Sequence, residues 1–189
     1  MVALESFKGN QYLEPFYEEM KKVGANGYNK YAYPVQMVFL KSRLEREQEC
    51  NDDSKTYIID RSIFEDKYIF AENQKRTGQI SEQEYQEYIE FFNQNYETVK
   101  PLDIAIFIRA KTDTLVERIN KRGRDMETSI DVNYLSDLGV LYEESLLPAL
   151  VEMSKGKLLV LQYDVDEIDP EVLARTCFDD IKSAIPSTN

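Results

Sequence analysis

With 189 residues, the chain is long enough for one domain with a buried core and too short for two comfortable ones. Hydrophobic residues at 42% and charged residues at 31% are the composition of a globular protein, and a net charge of −12 repels polyphosphate backbones, which argues against nucleic-acid binding. Histidine is absent, which excludes Ser-His-Asp and Cys-His catalysis and His-ligated metals, so any general base is a carboxylate, a lysine or a tyrosine.

The chain opens on Met1-Val2-Ala3-Leu4, which reads as the tail of a strand with nothing in front of it. Helical patterns are expected from about Tyr12 to Lys22, Pro34 to Cys50, Ile63 to Lys75, Ser81 to Tyr96, Thr112 to Lys121, Val132 to Met153 and Pro170 to Ala184. Between them, Tyr57 to Asp60, Ile104 to Ile108 and Leu158 to Leu161 are short apolar runs, the pattern of parallel strands buried on both faces. Ser81 with Glu84 spells a capping box, and Asp169-Pro170 a cap followed by proline at the first helical position. The expected architecture is a single three-layer α/β domain over residues 1–189, with a parallel sheet. No apolar run approaches bilayer length and no signal peptide is visible, so no membrane partner is expected. A cytoplasmic location follows, with an organellar form compatible. Cys50 and Cys177 are too few and too far apart for a disulfide framework or a zinc site.

Four groups of residues could carry chemistry. Asp60-Arg61-Ser62 stands at the carboxyl end of a strand, where open α/β sheets bind ligands, although such a triplet on its own reads first as a helix cap. Asp66 and Phe70, at i and i+4, would share a helical face; the bland account makes one a solvated charge and the other core. Gln36 and Arg43 are two helical turns apart, an amide and a guanidinium suited to the edge of a nucleobase, or equally two surface residues. Arg118, Arg122 and Arg124, with Glu127 beyond, end an otherwise acidic helix in cations. The helix dipole explains part of that, but Arg122-Gly-Arg124 runs past the expected helix end, and guanidinium forks match phosphate oxygens, so a lid over a polyphosphate is the sharper reading. No Gly-x-x-x-x-Gly-Lys-Ser/Thr phosphate loop occurs among the 189 residues.

In order, Leu4-Glu5-Ser6, Asn10 to Leu13, Phe16-Tyr17, Tyr33 to Gln36 with Arg43, Ile59 to Asp66 with Phe70-Ala71, and Arg118 to Glu127 with Tyr134-Leu135 resemble the deoxyribonucleoside kinases. The resemblance spans nearly the whole chain and implies a P-loop kinase-like fold with a helical lid, here without the first strand and Walker A segment, and with an inserted turn at Gly24 to Gly27. It implies ATP or another NTP as phosphoryl donor, Mg²⁺, a deoxynucleoside substrate (purine or deoxycytidine) in nucleoside salvage, and a homodimer through the helices from Pro34 and Ile63. By position, Glu5 matches the general base, Arg61 the arginine that stabilises it and the transferring group, and Asp60 the acid near Mg²⁺. Tyr17 and Glu127 match residues holding the sugar 3′-hydroxyl, Gln36 the base-reading amide, Phe70 the stacked ring, and Arg43 with Asp66 the base-edge pair. Arg118, Arg122 and Arg124 match the lid. Two alternatives stay open: a nucleoside-binding accessory subunit without catalysis, and a thymidylate kinase-like nucleotide kinase.

Overall fold

The computed structural model describes residues 2–3, 10–124, 130–154, 158–166 and 168–184. Strand β1 (Val2–Ala3) leads to helix α1 (Leu13–Val23), which starts where the Asn10 side chain accepts the Tyr12 N–H at 3.1 Å. It stops at Gly24, whose φ of 78° turns the chain out of the helix. The following turn is tied down across the molecule: Asn29 N–H donates to Gln79 O at 2.9 Å, and Gln79 Nε2 to Ala25 O at 2.8 Å.

Helix α2 (Ala32–Glu49) buries Ala32, Val35, Gln36, Leu40, Arg43, Leu44 and Glu47. Steps of three and four residues make these one continuous stripe, and three of its members are polar. After β2 (Ile58–Ile59), Ser62 and Glu65 form a reciprocal capping box that starts α3 (Ile63–Glu65). The helix then widens into a π-helical turn, Asp66–Ala71, and returns to α geometry as α4 (Glu72–Arg76). The expected Ser81 and Glu84 box opens α5 (Glu82–Asn95), with Ser81 N–H to Glu84 Oε2 at 2.8 Å and Glu84 N–H to Ser81 Oγ at 3.2 Å.

Strand β3 (Ile104–Arg109) is followed by α6 (Thr112–Arg122), closed by Gly123 at φ 64°. Then come α7 (Val132–Leu141), a second π-helical turn at Tyr142–Leu146, α8 (Leu147–Met153), β4 (Leu159–Asp164) and α9 (Pro170–Ala184), whose first turn is capped by Asp169. Among the described residues all strand pairing is parallel. β1 lies on β2 with Val2 opposite Ile58, and β3 on β4 from Ile104 opposite Leu159 to Arg109 opposite Asp164.

The α/β class and the parallel strands are as the sequence indicates. Burial on both strand faces is not: Ile58, Ile106 and Ile108 are 59%, 40% and 52% exposed. Among the described residues the strands form two separate two-stranded ribbons, so each strand has an unpaired edge and the alternate side chains of β3 lack cover. The core lies instead among helices, where Leu40 and Leu44 of α2 meet Ile63, Phe64 and Ile69, Tyr88 and Phe92 of α5, and Leu141, Leu146 and Leu150.

Candidate functional site

Arg43 and Asp66, on facing elements, form an ion pair while 3% and 0% exposed. Withdrawing both charges from water costs several kcal/mol per ion, and a pair this dry is weak evidence of a stabilising role. The Arg43 guanidinium also lies over the Phe39 ring, 5.1 Å from its centre. Gln36 is buried two turns earlier on α2, and both Gln36 Oε1 and Asp66 Oδ2 are buried without a hydrogen-bond partner among the described residues. Each orphaned polar atom costs about 1–3 kcal/mol. Asp66 Oδ2, beside the Arg43 guanidinium, and Gln36 Oε1, two turns along the same buried stripe of α2, are open acceptors that can take donors such as an exocyclic amino group.

The Tyr88 hydroxyl, fully buried and also without a hydrogen-bond partner among the described residues, has Arg43 as an electrostatic neighbour: burial holds its ionisation well above the ordinary tyrosine value, and Arg43 pulls the other way. Sequence reasoning missed it, because a tyrosine on the apolar stripe of α5 looks like core. Its only signal is a hydroxyl at a position with nothing to bond.

Phe70 is half-buried, and the Arg61 guanidinium faces its ring at 5.0 Å. The expectation that Asp66 and Phe70 share a face assumed α geometry. Both lie in a π-helical turn, where hydrogen bonds reach one residue further; Asp66 is fully buried there and Phe70 partly so. Tyr17 on α1 packs edge-on to Phe16 at 5.3 Å and is an electrostatic neighbour of Tyr134 on α7. Burial raises the Tyr134 phenol first and Tyr17 adds to it, while Arg61 opposes, so Tyr17, Arg61 and Tyr134 share one region. The motif match included Tyr134, but no role was expected for it.

Asp60 directly follows β2 and is exposed, beside Arg61. One carboxylate next to open solvent suits Mg²⁺, which keeps most of its waters and takes its remaining ligands from substrate phosphates. In the arginine group, Arg118 Nη2 donates to Val165 O at 2.7 Å at the end of β4, while Arg122 is the last residue of α6 and Arg124 follows the left-handed Gly123. Glu5 and Glu127 lie outside the described residues.

The sequence pattern of the family named deoxynucleoside kinase matches residues 3–185. The chain belongs to this family. Relatives include a deoxyadenosine kinase of Dictyostelium discoideum, 28% identical over 88% of the chain and 62% of that protein, and a deoxyadenosine/deoxycytidine kinase of Bacillus subtilis, 27% identical over 75% and 62%. The chain thus spans about three fifths of the length of these relatives. A solved deoxyadenosine kinase from M. mycoides, described with products dCMP and a flexible dCDP bound, superposes with a TM-score of 0.76 at 25% identity, covering 96% of this chain and 85% of that one. Such a likeness between helix-rich parallel α/β folds identifies the deoxynucleoside kinase architecture here. Among the described residues, no helix is long and apolar enough to cross a membrane.

Proposed function

We propose that the protein carrying this chain transfers the γ-phosphate of ATP, or of another NTP, to the 5′-hydroxyl of a deoxynucleoside with an amino-bearing base, as in nucleoside salvage. The observation that carries this reading is the buried edge of Gln36, Arg43 and Asp66, with two acceptors left open in a molecule of the deoxynucleoside kinase family. Gln36 Oε1 and Asp66 Oδ2 accept from the base, Arg43 donates to a ring nitrogen or carbonyl, and Phe70 lies against the ring. Tyr17 and Glu127 hold the sugar, and Glu5 takes the 5′-hydroxyl proton as that oxygen attacks. Arg61 and the Arg118, Arg122, Arg124 set neutralise charge on the transferring group, a task for which guanidinium forks suffice without histidine. When bound, Mg²⁺ with ATP supplies the phosphoryl group and screens its charge; Asp60 is the residue suited to hold the metal.

The reading includes a homodimer through α2 and the helix that begins at Ile63, which sedimentation would test. The activity is tested by ATP-dependent phosphorylation of the four deoxynucleosides by the whole protein, with Glu5→Gln beside it. Turnover should collapse in that variant while nucleoside affinity stays, since the shape is kept and the proton acceptor removed. Loss of affinity with turnover per bound substrate unchanged would make Glu5 a binding residue. Nucleoside binding without turnover in the whole protein would favour a non-catalytic accessory role.

A further inference from the structure

Arg61 has φ 60°, the left-handed value among described residues that no other non-glycine residue adopts. This conformation is disfavoured for an L-residue with a side chain, so its surroundings must enforce it. Contacts from α2 and from the start of α3 hold the main chain around it. Arg46 Nη2 donates to the carbonyls of both Asp60, at 3.1 Å, and Arg61, at 2.5 Å. Glu47 Oε1 accepts the Ile63 N–H at 2.8 Å, and Glu65 Oε2 accepts the Ser62 N–H at 2.8 Å. The main chain from Asp60 to Ile63 is thereby held on both sides, carbonyls by a cation and N–H groups by carboxylates. Its product is the outward direction of the Arg61 side chain, which sets the guanidinium over Phe70.

Glu65 serves its own helix cap, which many helices possess. Arg46 and Glu47 are different. They are consecutive residues on the last turn of another helix, and Glu47 is a carboxylate kept 3% exposed for one backbone N–H. Burial pushes that carboxyl up to about 7, against the smaller pull of the Ile63 N–H and Arg46, so the protein bears a real cost to keep it there. A leucine would fill the stripe of α2 more cheaply.

We infer that Arg46 and Glu47 are positioning residues, which hold the strained Asp60-Arg61-Ser62 turn through its main chain and so aim Arg61 at the transferring phosphoryl group. This rests on the proposed kinase reading for the role of Arg61, but not for the geometry of the turn. Neither residue touches substrate in this account. Because α2 also carries Gln36 and Arg43, one helix aligns the base-reading edge with the phosphoryl-handling turn.

The test uses the whole protein with Arg46→Met, Glu47→Leu and Glu47→Gln. The amide oxygen of glutamine still accepts the Ile63 N–H, so Glu47→Gln should keep kcat within about 2-fold at pH 7, whereas Glu47→Leu and Arg46→Met should lose about 10–100-fold in kcat, the scale for a misplaced group, with nucleoside KM nearly unchanged. Equal losses in Glu47→Gln and Glu47→Leu, or losses confined to KM, would overturn the inference. Amide hydrogen exchange across residues 60–63 gives an answer independent of activity: it should quicken in Glu47→Leu and Arg46→Met and stay slow in Glu47→Gln. Unchanged exchange in Arg46→Met, whose half-exposed side chain can be lost without a core cavity, overturns the inference even if Glu47→Leu does not fold. If the unaltered protein has no kinase activity, the functional reading fails and the exchange arm still decides the turn.

Discussion

Asp66 carries its charge to a fully buried place and, among the described residues, pairs there with the Arg43 cation. Removing one partner leaves the other charge buried and alone, so Asp66→Ala should cost about 3–5 kcal/mol in urea unfolding, and the double variant Arg43→Met with Asp66→Ala should recover much of that. A double variant as unstable as the single would mean that shape rather than charge decides. The same pair should set base choice. Thymine offers no amino group to Asp66, and leaving one buried group unsatisfied costs ~1–3 kcal/mol, so thymidine should bind roughly 10-fold or more weakly than deoxyadenosine, deoxyguanosine or deoxycytidine. Equal binding of thymidine by the unaltered edge sinks this assignment; the double variant should admit it. Glu47 gives a pH signature. Its folded pKa of about 7 exceeds the ordinary 4.5, with Arg46 and Arg43 on its own helix and Glu65 of α3 as its charged neighbours. Between these values the folded chain binds a proton that the unfolded chain does not, so this group makes the fold more stable as pH falls from about 7 towards 4.5 and less stable above it. The change is on the order of 1–3 kcal/mol at most. Urea midpoints at pH 5.5 and 8 should differ less in Glu47→Gln than in the unaltered chain; equal differences would assign the pH dependence elsewhere.

At the scale of elements, local chemistry predicts boundaries well where a cap is written in adjacent residues. Ser81 and Glu84 start α5 as expected, and Ser81→Ala should lower stability by about 1 kcal/mol in thermal or urea unfolding, a loss below measurement error meaning that packing alone fixes this helix start. The two π-helical turns were not readable. Asp66–Ala71 and Tyr142–Leu146 have ordinary helical sequences; in the first, Asp66 pairs with Arg43 while Ile69 packs in the core, and in the second Leu146 packs there. Such a compromise between a polar and an apolar demand exists only once the facing helices are in place. The stripe on α2 was half-read: Gln36 and Arg43 stood out at a two-turn spacing, while Glu47, one further turn along, looked like any exposed acid in Glu45-Arg46-Glu47-Gln48.

For the whole molecule, the absence of Gly-x-x-x-x-Gly-Lys-Ser/Thr from the 189 residues has a direct consequence. These residues alone should bind a deoxynucleoside weakly and transfer phosphate poorly, because no run of backbone N–H groups and lysine positions the β- and γ-phosphates. Robust phosphorylation of deoxyadenosine by this segment would refute that, and supplying such a loop upstream should raise turnover by orders of magnitude. The sequence by itself determined the α/β class, the helices to within one or two residues, the parallel direction of the strands and, through ordered motifs, the family. Those properties depend on local propensity, periodicity and residue identity, which need no coordinates. Only the tertiary structure decided that the core lies among the helices, that Gln36 Oε1 and Asp66 Oδ2 are buried and open, that Tyr88 joins them, and that Arg46 and Glu47 hold the left-handed turn at Arg61. Each depends on groups distant in sequence being brought together, and the cost of burying a polar group is set by which partners arrive with it.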